Sequence, residues 1–94
     1  LDPDVVLDAD PAAVRMGAPR EARGAGAVAA VFSGRAAAAV PALVDGHVGV
    51  AWMVGDRPRV VWNVYVDERR EAIVHIDMHA DRDGIDALGV APLP

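Results

Sequence analysis

Three residues near the end of the chain have the side chains of an acid–base or metal-binding set: His75, Asp77 and His79. They alternate along one extended segment, so they project from one face of a strand at intervals of roughly 7 Å. Two chemistries use such a set. An imidazole beside a carboxylate can act as a general acid–base pair, and two imidazoles with a carboxylate can hold a metal ion. A solvated strand face carries the same residue types, because Val74, Ile76 and Met78 between them form the apolar side. The solvated account is favoured, so no metal, cofactor or catalytic residue is expected, with His75 and Asp77 as the leading catalytic candidates.

A second set would bind rather than react. Trp52, Trp62 and Tyr65 fall on neighbouring strand candidates and would supply area and a polar handle to a ligand pocket, with Asn63 orienting the ligand and Phe32 joining from the preceding helix. Packing in a core or interface competes with that reading. Asp4, Asp8 and Asp10 cluster near the front without the glycine and terminal glutamate of a calcium loop, and read as a solvated turn. Arg20, Arg23 and Arg35 bracket the helix and would pair with surface acids. Phosphate-loop, dinucleotide and nucleophile-elbow motifs are absent.

The elements that must position these residues are legible from turn signals and alternation. Four strands, Ala36–Val44, His47–Val54, Pro58–Val66 and Glu71–His79, follow one another with almost no spacer. Asp45-Gly46, Gly55-Asp56-Arg57-Pro58 and Asp67–Arg70 separate them. Val48, Val50, Trp52 and Val54 share one face of the second, and Val60, Trp62, Val64 and Val66 one face of the third, which predicts an antiparallel meander packed on one side.

Before the meander, Gly24–Arg35 predicts a helix with Val28, Val31 and Phe32 on one face and Gly34 at its end. Asp4–Leu7 and Ala13–Met16 are short strand candidates, joined by a turn at Asp8-Ala9-Asp10-Pro11. Asp81–Leu88 is a final short helix, and Pro92 and Pro94 close the ordered region. The fold class is α+β, with residues 1–94 one domain.

Composition narrows the function. The 94 residues are 53% hydrophobic, so the chain folds rather than remaining disordered. Nine basic residues, all arginine, stand against 14 acidic ones, and a net charge of −5 argues against direct nucleic-acid binding. Zero cysteines exclude a disulfide framework and a thiolate metal site. No run of about 18 apolar residues is present, and Leu1 opens directly onto Asp2-Pro3-Asp4, so neither a membrane span nor a signal peptide is expected and a cytoplasmic location is the expectation.

Several segments together resemble a family. Leu1-Asp2-Pro3-Asp4-Val5-Val6-Leu7 resembles the first strand of a SnoaL-like domain, in the NTF2-like superfamily. The helix after Arg23-Gly24, the strand and turn Pro41-Ala42-Leu43-Val44-Asp45-Gly46, the strands Pro58–Val66 and Ile73–Ala80, and the closing Asp81–Leu88 resemble further parts of it. The chain is most similar to the SnoaL-like extension at the C-terminus of actinobacterial extracytoplasmic-function sigma factors. It departs at Asp67-Glu68-Arg69-Arg70-Glu71, where the family has a D-G-R-I turn, and at Asp81-Arg82, where a proline is usual.

The resemblance implies a curved antiparallel sheet folded into a cone against helices, with the N-terminal covering helices lying before Leu1 in a longer chain. It implies a non-catalytic regulatory domain of a sigma-70-family factor that modulates transcription initiation through the sigma regions of its own chain and the RNA polymerase core, and a homodimer through the outer sheet face. The alternative is a stand-alone NTF2-like protein, either a small-molecule binder or an enzyme of isomerase, cyclase or epoxide hydrolase type. That enzyme would need His75 or Asp77 beside a buried cavity.

Overall fold

In a computed structural model, which describes residues 1–33 and 39–92, the chain forms a seven-stranded mixed sheet and three helices, an α+β architecture. The strands are β1 (Val6–Ala9), β2 (Glu21–Arg23), β3 (Ala39–Val44), β4 (His47–Val54), β5 (Arg57–Asp67), β6 (Ala72–His79) and β7 (Val90–Pro92). The helices are α1 (Pro11–Arg15), α2 (Ala25–Ser33) and α3 (Arg82–Ala87). Across the sheet the order is β2-β1-β6-β5-β4-β3-β7.

The meander β3–β6 forms as its turns dictate. Asp45 and Gly46 both take positive φ (50° and 83°), the conformation of a two-residue hairpin whose twist matches its strands. Gly55 (φ 64°) opens the next two-residue turn, so β5 begins at Arg57. The third turn is held by Asp67, whose Oδ1 accepts from the Arg69 amide at 2.9 Å. Register slips once between β4 and β5, at Trp52/Met53, and once between β5 and β6, at Tyr65/Val66.

The sheet is not purely antiparallel. β1 lies between β2 and β6 and runs parallel to β6, pairing Leu7 with Ile76 and Asp8 with Asp77. The first strand begins at Val6 rather than Asp4, and the expected turn at Asp8–Pro11 is the end of β1 followed by a helix start. Ala13–Met16 is correspondingly not a strand. Asp10 accepts from the Ala13 amide as N-cap and Pro11 takes the first helical position, where its missing N–H costs nothing. β2 and β7, three residues each, add to the expected elements. Gly34, Arg35, the first residues of the expected Ala36–Val44 strand, and Pro94 lie outside the described residues.

Both faces of the sheet bury apolar side chains. On one, Val28 and Val31 of α2 and Ala13 of α1 close over Val5, Leu7, Val60, Trp62, Ile76 and Met78. On the other, Ile85 of α3 covers Ala42, Val44, Ala51 and Val61. The expected one-sided packing is therefore corrected: α3 builds a second, smaller core. Gly49 belongs to this face for a steric reason, because a Cβ there would lie 2.7 Å from both the Trp62 carbonyl oxygen and Val44 Cγ2.

Candidate functional site

Alternation places Val6 and Asp8 of β1, His75 and Asp77 of β6, and Asn63 and Tyr65 of β5 on the face away from α2. α3 covers only the Val61 end of that face. At the uncovered end the polar side chains assemble. His75 Nε2 lies 2.8 Å from Asp77 Oδ1 and 3.4 Å from Asp8 Oδ2. Asp8 reaches this place because β1 pairs with β6 in a register that sets Asp8 beside Asp77. Side-chain exposures of 34% for His75, 33% for Asp77 and 48% for Asp8 leave the group half-buried and open to solutes.

Tyr65 pairs with His75 across the strands, with ring centroids 5.7 Å apart. Burial, and then the charge and hydrogen bonding of Asp77, push its phenol above the ordinary value. Asn63, opposite Asp77, donates from Nδ2 to the Tyr65 hydroxyl at 3.2 Å. Its Oδ1 is buried and has no partner among the described residues. A continuous polar row thus crosses three strands.

The expected His75–Asp77–His79 set is regrouped. Asp8 takes the third place, and His79 stands near Asp10, whose ionised form it favours. Asp10 is itself a structural hub: its carboxylate accepts from the amides of Ala13 (2.8 Å), Ala80 (2.9 Å) and Asp81 (3.0 Å). Burial is the largest influence on it and opposes ionisation. The three amides and His79 together outweigh that influence and hold its pKa below 3.8. The acidic front is likewise not a simple solvated turn. Asp2 is buried, caps the Asp4 amide at 2.8 Å and pairs with Arg70 at 3.1 Å. Arg23 pairs with Glu21.

The pocket candidates do not converge. Trp62 is fully buried on the α2 face against Phe32 (centroids 5.5 Å apart), and Trp52 packs beside that core. Asn63 and Tyr65 face the opposite side. Trp62 and Asn63 are adjacent in β5, so alternation alone separates them. Trp62 Nε1 is buried without a partner among the described residues. Tyr65 instead borders a depression of about 390 Å³ with His47, Val48, Val64, Val66 and Glu68.

Compared with known proteins, the chain matches no family model, no curated protein and no solved structure. The chemistry of the row follows from its side chains. In a proton relay, a carboxylate orients one imidazole nitrogen and leaves the other free to work. Here both carboxylates converge on the same nitrogen, Nε2. That geometry gathers one ligand atom from each of three side chains within 4.8 Å of one another. Sequence reasoning missed Asp8 because its membership depends on a pairing between opposite ends of the chain.

Proposed function

We propose that this chain is a SnoaL-like domain with the cone-shaped sheet of the NTF2-like superfamily, acting in the cytoplasm as the non-catalytic regulatory domain of an extracytoplasmic-function sigma factor. Its partners are the sigma regions of its own chain and the RNA polymerase core. Support comes from the helix α2 feeding an antiparallel meander β3–β6, at the segments that resemble the family. The observation that carries the reading is the apolar band α2 leaves open on its own side of the sheet. Val48 is 65% and Val66 57% exposed, and strand alternation sets them on the same face as Val64, Val50 and Trp52, which pack beside the α2 core. An uncovered band of branched apolar residues fits a surface that a partner buries.

Two manipulations of the full-length sigma factor test this by in vitro transcription with core polymerase. One deletes the region from Leu1 onward, and the other substitutes Val48→Asp with Val66→Asp. Both are expected to change promoter output; output equal to wild type in both sinks the reading. Pairing of two copies through the face away from α2 is proposed alongside it. A single monomeric boundary in sedimentation velocity at high concentration refutes that pairing. Among the described residues no helix is long and apolar enough to cross a membrane.

A further inference from the structure

We propose that Asp8, His75 and Asp77 bind a first-row divalent transition-metal cation, of which zinc is the probe. Three independent features of the row lead to it. The first is geometric: one ligand atom from each of the three residues falls within 4.8 Å of the other two. Imidazole and carboxylate ligands at about 2.0–2.2 Å from tetrahedral zinc stand about 3.3 Å from one another. The separations of 2.8 Å and 3.4 Å from His75 Nε2 bracket that spacing, so small rotations of the two carboxylates would seat the ion.

The second feature is electrostatic. Asp8 and Asp77 are direct partners across the parallel β1–β6 pair, and like charges directly opposite one another disfavour strand pairing. A dication bound between them turns that repulsion into the force that retains it. The third is the support behind the ligands. Groups that bind metals are steadied by the side chains around them, and His75 has Tyr65 against its ring (centroids 5.7 Å apart), the phenol itself held by Asn63. Asn63 is only 8% exposed, yet its Oδ1 has no partner among the described residues. A buried carbonyl oxygen without a donor is costly, and a water on the ion would supply the donor.

The donor set defines the class of ion. One imidazole with two carboxylates suits zinc, manganese or iron(II); the lack of thiolate disfavours copper(I), and the imidazole disfavours magnesium and calcium. Three protein ligands on an open strand face leave positions for water or an anionic ligand.

The test is thermal unfolding and isothermal titration of the chain with zinc chloride, against magnesium chloride as control. At a tenfold excess over its dissociation constant, zinc raises the melting temperature on the order of 5–10 °C, and magnesium does not. His75→Ala and Asp77→Asn weaken binding at least tenfold, while His79→Ala leaves it unchanged. Asp8→Asn, at the most exposed of the three positions, keeps the test decisive if the β6 variants fail to fold. Absence of a zinc-dependent shift up to millimolar metal overturns the proposal. So does zinc binding of undiminished affinity in folded His75→Ala or in Asp8→Asn.

Discussion

Replacing Asp10 probes how the first strand is fastened to the last helix. Its Oδ1 caps α1 through the Ala13 amide, and its Oδ2 receives the amides of Ala80 and Asp81 where β6 passes into α3. Loss of an N-cap side chain costs about 1 kcal/mol. A hydrogen bond to a charged group contributes about 1.5–3 kcal/mol, and the lower end applies here because the Asp81 end is exposed. Asp10→Ala should therefore destabilise by roughly 3–4 kcal/mol, or about 15–25 °C in melting temperature for a domain of this size. Asp10→Asn retains one acceptor for the cap but turns an NH₂ toward the remaining donors, and should lose roughly 2–3 kcal/mol.

The pH dependence separates the charge from the shape. Because the folded pKa lies below the ordinary value of 3.8, the carboxylate's contribution is complete above pH 3.8 and is lost as pH falls through the folded value. The gap between wild type and Asp10→Ala should stay constant from neutral pH to about pH 5 and close only below about pH 4. Urea titrations followed by tryptophan fluorescence at several pH values measure it. A gap under about 1 kcal/mol at pH 7, or one that persists unchanged below about pH 3, refutes the bridging role.

Other consequences are more local. Gly49→Ala should cost about 1–3 kcal/mol, because the methyl meets the backbone oxygen of Trp62 at 2.7 Å; a variant as stable as wild type in denaturant would show that β4 and β5 can part there. The chain has a single tyrosine, so ultraviolet titration reads Tyr65 alone. Its phenolate should form above pH 10, and Asp77→Asn should bring the midpoint down; a midpoint insensitive to that substitution breaks the Tyr65–Asp77 link.

The meander was legible because its information is local. Asp45-Gly46 and Gly55-Asp56 specify tight turns, and alternation between them is enough to assign Trp62 and Asn63 to opposite faces. α1 was not legible: Ala13–Met16 is too short for its period to separate helix from strand, and the decisive cue lay upstream in Asp10-Pro11. β2 and β7 are three-residue edge strands whose existence depends on a partner's free hydrogen bonds rather than on their own side chains. The polar row was half visible. His75 and Asp77 declare themselves by spacing, whereas Asp8 joins them only through the β1–β6 register, and no local pattern encodes that pairing.

The same parallel pairing governs when the molecule can become itself. Val6 and His75 are neighbours in space but stand about three-quarters of the chain apart in sequence. During synthesis at about 5–20 residues per second, β1 waits roughly 4–14 s for its partner to be made. Among the described strands only β2 is available to it in that interval, and a pair of such short strands is marginal alone. The meander, with its tight turns, can zip as soon as it emerges, and β1 then docks on the free edge of β6 as a late step. The separation of its contacts along the chain therefore favours assembly from the back of the chain to the front, against the direction of translation.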